Sequence, residues 1–338
     1  MGTLGDKITL AHGSGGLLMH RLIAEVFRSR FANPALDQGD DAAELRITNP
    51  GSRFAFTTDS YTVKPLFFPG GDIGRLAVCG TVNDLAAKGS EPLYLSASFI
   101  IGEGFPVSDL ERVAGSMARA AAEAGVTIVT GDTKVVERQA CDGLFINTSG
   151  LGVIAGSAEF SGASVRPGDV IIISGTVGDH GAAVMNARLG LGLSGELRSD
   201  VAPLWSLAEA MIKAGGVRAM RDPTRGGLAT TLGELAGQSG VRIEMDEQAV
   251  PVRPEVRAAA EMLGLDVLYL ANEGKLAAAV GPEHAGAVLE AMRKHPNGAG
   301  AAVIGRAVEG PGDAVLRTAI GTRRPLLMLE GEHLPRIC

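Results

Sequence analysis

Asp72-Ile73-Gly74-Arg75-Leu76-Ala77-Val78-Cys79-Gly80-Thr81-Val82-Asn83-Asp84-Leu85-Ala86-Ala87-Lys88 is the stretch on which the fold turns. Its apolar spacing predicts one helix of about 17 residues, with Gly89 placed as a left-handed cap. Ile73, Leu76, Ala77, Gly80 and Ala87 share a face. Asp84 falls on the same face. A carboxylate on a buried stripe is costly unless it meets donors or a cation, so Asp84 needs a partner. Asn83 beside it can bond as well.

Upstream of the helix, strands are expected near Leu45–Thr48 and Arg53–Thr58, the second running into Asp59-Ser60, before a Pro/Gly segment at Pro65–Gly71. Downstream, a strand is expected at Leu93–Ile101. Ser108-Asp109-Leu110-Glu111 reads as a capping box opening a helix that Gly125 closes. Val126–Thr130 reads as a strand ending in Gly131-Asp132-Thr133-Lys134, and Leu144–Ile154 closes this half. The order ββαβαββ predicts an α+β unit with helices on one face of a sheet. At the start, His12-Gly13-Ser14-Gly15-Gly16 precedes a helical pattern, and glycines there can let backbone amides approach an anion.

Small residues and the turn Arg166-Pro167-Gly168-Asp169 mark a boundary. Beyond it, strands near Val170–Ser174, Val241–Met245, Val267–Leu270, Leu276–Val280, Ala302–Arg306 and Pro325–Leu329 alternate with helices near 179–189, 201–214, 254–263 and 283–294. Another helix follows Asp222-Pro223-Thr224-Arg225-Gly226-Gly227. This half reads as α/β with a mixed sheet. The expected division is 1–160, 161–330 and a flexible tail, 331–338, that ends on Cys338.

The 338 residues suit two domains rather than one core. A net charge of −7 without a basic run argues against nucleic acid or an anionic membrane as the main partner. Three widely spaced cysteines, Cys79, Cys141 and Cys338, argue against a disulfide framework or a zinc site. No apolar run is long enough to span a bilayer, and the N-terminus lacks a signal-peptide pattern, so the cytoplasm is the expected location.

The residues that could carry chemistry are mostly aspartates: Asp40, Asp41, Asp59, Asp84, Asp132 and Asp222. All but Asp84 lie at a strand end, a turn or a helix start. Mg²⁺ is usually held by a few carboxylates together with phosphate oxygens, so such a set suits a metal–nucleotide site. Each has a plainer reading. Asp40-Asp41 fits an Asx turn, Asp59 and Asp132 fit turns after strands, and Asp222 before Pro223 fits an N-cap. Gly150–Ala155 matches GxGxxA, but Gly156 and Ser157 follow where a helix should open, so it is read as a strand.

In order and spacing, GDDAA, TTDSY, VNDLAAKG, TGDTKVV and DPTRGGL resemble the ATP-binding superfamily of aminoimidazole ribonucleotide synthetase. Within it, HGSGG, ANEGK and the terminal PRIC resemble the hydrogenase maturation carbamoyl dehydratases, the HypE family. The resemblance covers essentially the whole chain. It implies a homodimer whose N-terminal halves pair into a β-barrel, with ATP in the dimer cleft. It also implies that Asp41, Asp59, Asp84, Asp132 and Asp222 hold Mg²⁺ and the triphosphate, with Asp40 and Asn83 beside them. Cys338 then receives a carbamoyl group from the carbamoyltransferase HypF, and HypC and HypD accept the cyanide.

ATP-dependent dehydration of that group, from S-carboxamide to thiocyanate, needs charge neutralisation at the phosphate and a base for the nitrogen protons. Glu273 and Lys134 are the candidates, with His12 a third. Eight extended residues from Gly331 span at most about 25–29 Å, enough to carry Cys338 between an inner and an outer position. Two alternatives remain open at the level of sequence. One is a sister enzyme of the selenophosphate synthetase or thiamine-monophosphate kinase type, which has no need of a terminal cysteine. The other is a non-catalytic carrier, which has no need of the aspartates.

Overall fold

The computed structural model describes residues 16–22, 24, 43–46, 53–137, 140–154, 159–193, 197–329, 331 and 336–338. After a short helix α1 (Leu17–Leu22), five strands form the first sheet: β1 (Ala43–Arg46), β2 (Arg53–Tyr61), β5 (Ser90–Gly102), β6 (Thr127–Val136) and β7 (Leu144–Ile154). Their order is β1-β2-β7-β5-β6. Every pairing is antiparallel except β5 with β6. A two-residue ribbon, β3 (Phe67–Phe68) with β4 (Gly71–Asp72), precedes helix α2 (Ile73–Ala87), and α3 (Val107–Ala124) follows β5.

Both helices lie on one face of this sheet. The alternation of β2 shows it: Ala55, Thr57 and Tyr61 are buried, whereas Phe56, Thr58 and Ser60 are exposed. The opposite face is open, and it carries Phe56, Tyr94 and Ile100, all more than 40% exposed. They share that face because Phe56 and Tyr94 both pair with Leu151, and Ile100 follows two residues after Ser98, the partner of Asn147.

Helix α2 starts as its sequence predicts. The carboxylate of Asp72 accepts from the amides of Gly74 and Arg75, at 2.8 and 3.0 Å. The chain leaves through Gly89 at φ 71°. The predicted single apolar stripe is too narrow, because every residue of the helix except Arg75 and Asp84 is buried. The reason is tertiary. One side packs on the sheet, while Ala86 and Ala87 join a core with residues of the second half. Gly80 lies so close to the sheet that a Cβ there would stand 2.3 Å from the hydroxyl of Tyr61. That hydroxyl begins a buried polar chain through Thr81 (3.3 Å) and Thr148 (2.5 Å), which donates to the carbonyl of Ala77 at 2.9 Å. The expected capping box of α3 does not form. Pro106 is the N-cap and makes no side-chain bond, which places Ser108 inside the first turn.

The second sheet runs β14-β13-β10-β12-β8-β11-β9. Its strands are β8 (Val170–Ile173), β9 (Val217–Arg221), β10 (Val241–Asp246), β11 (Ala277–Val280), β12 (Ala302–Glu309), β13 (Ala314–Arg317) and β14 (Arg323–Pro325). Helices α4 (Asp179–Leu189), α5 (Trp205–Ala214), α6 (Gly227–Ser239), α7 (Pro254–Leu263) and α8 (Ala285–Lys294) connect them. The sheet is mixed, since β10 pairs parallel with β13 but antiparallel with β12. β8 is a continuous apolar run because both its faces are covered. Ile171 and Ile173 pack with Leu228, Leu232 and Leu235 of α6. Ile172 packs with Leu207 and Met211 of α5 and Val288 of α8.

Two expected strands in this half differ from the structure, and two strands were not expected. Val267–Leu270 is a 3₁₀ turn over Val267–Tyr269, held by the Asp266 carboxylate accepting from the Leu268 amide at 3.0 Å. The last strand is Arg323–Pro325, not 325–329. β9 and β13 were not predicted, being short and rich in arginine and alanine. The GxGxxA match lies on β7 through Ile154, as its strand reading requires.

Candidate active site

The acidic residues come from both halves. Asp59 is on the helix-covered face of β2, where its carboxylate accepts from the Ser60 amide at 2.8 Å. Asp84 projects from α2 and accepts from the hydroxyl of Thr57 at 2.7 Å. This is one donor of the kind its place on the helix called for, although Asp84 itself is only half-buried. Asp222 is buried just past β9. It is no N-cap, because α6 starts only at Gly227 with Gly226 as its cap. Both glycines have positive φ (76° and 61°), and a Cβ on Gly227 would meet the carbonyls of Leu268 and Leu270 at 2.6 Å. The turn is thereby pressed against the segment that leads to Glu273.

Glu273 is 2% exposed. Its backbone is clamped from three directions. Its amide, with that of Gly274, donates to the buried Asp200 carboxylate at 3.1 and 3.2 Å. Its carbonyl accepts from the Asn83 side chain at 3.2 Å. Asn272, just before it, accepts from the Gly178 amide at 2.7 Å and donates to the Pro223 carbonyl at 2.9 Å. Asn83 also donates to the Ala202 carbonyl and accepts from the Leu204 amide, so its amide braces this loop from both ends. The carboxyl of Glu273 is held well above its ordinary range, chiefly by burial and then by Asp222, Asp59 and Asp200, while Arg225 acts the other way.

The end of the chain lies in the same place. The amide of Thr62 donates to the Cys338 carbonyl at 3.1 Å, and that of Lys64 to the Arg336 carbonyl at 3.2 Å. The guanidinium of Arg336 bonds the Thr62 carbonyl at 2.8 Å and pairs with Asp142. Ile337 is buried in the first core. The Cys338 side chain retains some exposure, but its thiol is raised to about 12, first by burial, against the pull of Arg225 and with Glu273, Asp59 and Asp222 adding to it. Arg225, 3.4 Å from Asp59, has its own pKa raised chiefly by that sulfur. Arg336, the nearest cation in sequence, is turned to Asp142, and Arg225 is the cation that acts on the thiol.

Asp59, Asp84, Asp222, Glu273 and Cys338 thus form one neighbourhood. Asp132 and Lys134 stand apart from it. They lie within β6 rather than after it, and every residue from Thr127 to Val135 is exposed. Asp132 pairs with Ser98, Ser98 with Asn147, and Asn147 with Ser60. Three strand spacings, roughly 14 Å, separate Asp132 from β2, and it shares the open face with Ser60 rather than the covered face with Asp59. Asp40, Asp41 and His12 lie outside the described residues. Among the described residues, no three His, Cys, Asp or Glu side chains are grouped closely enough to cage a metal unaided. The converging carboxylates are hard oxygen donors whose negative charge raises Glu273, Cys338 and Tyr61. That fits a cation bound with phosphate oxygens rather than a metal held by protein alone.

Sequence reasoning missed Arg225, Asn272, Asp200 and His180. The first two stand inside DPTRGGL and ANEGK, so a cation and an amide were available to be read there.

Residues 39–154 match the family of AIR synthase related protein, N-terminal domain, and residues 166–317 that of the C-terminal domain. The chain is 54% identical to the carbamoyl dehydratase HypE of Rhodobacter capsulatus, over 98% of each. Its structure is similar to that of a hydrogenase maturation protein HypE in complex with ATP, with a TM-score of 0.83 and 51% identity over 98% of this chain and 100% of that one. It is also similar to a chain of a HypE–HypF complex, with a TM-score of 0.86 and 48% identity over 91% and 99%. Thiamine monophosphate kinase from Aquifex aeolicus, at 18% identity and a TM-score of 0.67 over 91% and 99%, shares the fold alone. Among the described residues, no helix is long and apolar enough to cross a membrane.

Proposed function

The chain belongs to the HypE carbamoyl dehydratase family of AIR synthase related proteins, and we propose that it dehydrates a carbamoyl group carried on its own Cys338, at the expense of ATP, to a thiocyanate. The observation that carries this reading is the terminal thiol lying among Arg225, Glu273, Asp59 and Asp222. A small-molecule kinase of the same fold needs no such sulfur.

In the proposed reaction, the carbamoyl oxygen takes the γ-phosphoryl group of ATP, the bond from the γ-phosphorus to the bridging oxygen breaks to release ADP, and one nitrogen proton departs to the base. The C–O bond of the resulting imidate phosphate then breaks as the second proton leaves, giving S–C≡N and phosphate. Glu273 is the base for the nitrogen protons: its carboxyl is buried, acts electrostatically on the Cys338 sulfur and is raised above its ordinary range, which suits a general base. Arg225 holds the carbamoyl group and offsets negative charge at its oxygen. Asp41, Asp59, Asp84, Asp132 and Asp222, with Asp40 nearby, are the residues proposed to hold Mg²⁺. Bound with the triphosphate, that ion supplies neutralisation of phosphate charge. Asn83 contributes by fixing the Glu273 loop.

A homodimer completes the site. The open face of the first sheet exposes Phe56, Tyr94 and Ile100, and Asp132 and Lys134 share it. Burying that face against a second copy brings both residues to a cleft between subunits, where Lys134 meets phosphate. The domain division at 160 and 330 is kept as part of this reading. HypF as carbamoyl donor is supported by the relative solved with HypF. HypC and HypD as acceptors follow from the family. Three unpaired cysteines suit a reducing compartment such as the cytoplasm.

Intact mass spectrometry tests the reading. With HypF, its substrates and Mg²⁺-ATP, the chain should gain one carbamoyl group and then, only with ATP, lose one water. A carbamoyl adduct that survives ATP would leave a carrier. ATP turnover on a free small molecule without an adduct would leave a sister kinase.

A further inference from the structure

His180, at the start of α4, takes no part in the chemistry above. It is fully buried. Its Nε2 lies 2.8 Å from the carbonyl oxygen of Ile337, and its Nδ1 2.8 Å from the hydroxyl of Ser199. A carbonyl can only accept, so Nε2 carries the proton. In a neutral ring Nδ1 then accepts, and the Ser199 hydroxyl donates to it. The Ser199 oxygen in turn accepts from the Val201 amide at 3.1 Å, while the Ser199 amide is tied to the Pro69 carbonyl at 2.8 Å. The donors therefore run in one direction, from Val201 through Ser199 and His180 to Ile337, and this chain sets the tautomer. Phe68 stands edge-on to the ring at 5.4 Å.

The residue gripped is the one before the reacting cysteine. Each of the last three carbonyls of the chain is bonded: that of Arg336 by Lys64 and Arg188, that of Ile337 by His180, that of Cys338 by Thr62. Backbone preference does not put them there, because Arg336 has φ 51°, a region non-glycine residues seldom occupy. The contacts hold it. Among them the His180 bond is fully buried, and it leaves a buried donor unpaired when the tail departs.

We propose that His180 is the positioning residue that seats the terminal thiol, its Nε2–H fixing the Ile337 carbonyl so that Cys338 faces Arg225 and Glu273. This rests on the dehydratase reading for its purpose but not for its test. Alkylation of Cys338 by iodoacetamide, read on the C-terminal peptide with Cys141 as internal control, reports how often the tail leaves its seat. In protein free of nucleotide and metal, His180→Ala should raise the Cys338 rate roughly tenfold and leave Cys141 unchanged. With carbamoylated protein, ATP-dependent water loss should slow by a similar factor, while carbamoylation by HypF proceeds at least as fast as in the wild type. His180→Gln, whose amide can donate from nearly the same place, should recover most of both. Should His180→Ala melt early, Ser199→Ala, which spares the ring, should shift both rates the same way by less. Unchanged alkylation in a variant that melts like the wild type, or no recovery with Gln, would overturn the proposal. A wild type that never loses water, yet shows the alkylation differences, would refute the dehydratase reading and leave the seat standing.

Discussion

Replacing Glu273 by Gln should move stability and activity in opposite directions. Gln keeps the shape and removes the charge. The carboxyl is 2% exposed and raised well above its ordinary value by burial, Asp222, Asp59 and Asp200, in that order. A carboxyl raised in the folded state favours folding fully only below its unfolded pKa, near 4.5. That contribution is lost as pH rises toward the folded value. Each tenfold change in the acidity constant is about 1.4 kcal/mol. At pH 8, therefore, the wild type has lost stability that it holds near pH 5, whereas the Gln variant, which does not titrate, has not; at pH 5 the difference largely closes. Thermal melts in EDTA, without nucleotide, should show the Glu273→Gln variant melting higher at pH 8 and nearly level with the wild type at pH 5. Dehydration should fall by about 10²–10⁴-fold, the usual contribution of a positioned base, or about 3–5 kcal/mol of barrier. Carbamoylation by HypF should persist. A variant that melts lower at pH 8 would show the carboxylate to be structural. Dehydration at the wild-type rate would remove Glu273 from the mechanism.

Cys338→Ala should give neither the carbamoyl nor the thiocyanate adduct by intact mass, and an adduct on Cys141 instead would shift the whole scheme. Arg225→Gln should slow ATP-dependent water loss by about 10²–10³-fold, the loss seen when one aimed donor is removed, in single-turnover mass measurements. A wild-type rate there would make Arg225 a partner of Asp59 and nothing more. Gly80→Ala drives a Cβ to 2.3 Å from the Tyr61 hydroxyl. Overpacking of this kind costs about 1–3 kcal/mol, and an unchanged denaturation midpoint would show that the helix can shift away from the sheet.

What could be read in the sequence divides along physical lines. Helix α2 was legible from its own ends, Asp72 and Gly89, and from its apolar spacing. Its burial on almost every side was not, because the second cover is supplied by Leu204, Leu207 and their neighbours far along the chain. Gly131-Asp132-Thr133-Lys134 has turn composition, yet pairing with β5 extends β6 through it. Val267-Leu268-Tyr269-Leu270 has strand composition, yet one Asp266 side-chain bond turns it into a 3₁₀ helix. Local preference yielded to pairing in one case and to a cap in the other. For the site, acidic type and order marked Asp59, Asp84 and Asp222. Arg225 stands in DPTRGGL as a legible cation whose partner is not local, and nothing local marks His180 at all, since each acquires its meaning only from where the last three residues come to rest.

That resting place also orders the two halves of the proposed cycle. Burial and the surrounding carboxylates raise the Cys338 thiol from 9.0 to about 12. Docking therefore favours an uncharged sulfur: it is complete below the free thiol's pKa and weakens as pH rises toward the docked value. A thiol held neutral is a poor nucleophile, so in the proposed cycle the seat opposes carbamoyl transfer at Cys338, and that step is expected with the tail undocked. A carbamoylated sulfur has no proton to lose, and the same buried, acidic seat accepts it without that penalty. One pocket can thus disfavour the wrong step for the free thiol and admit the modified cysteine to Glu273 and Arg225, the proposed base and cation.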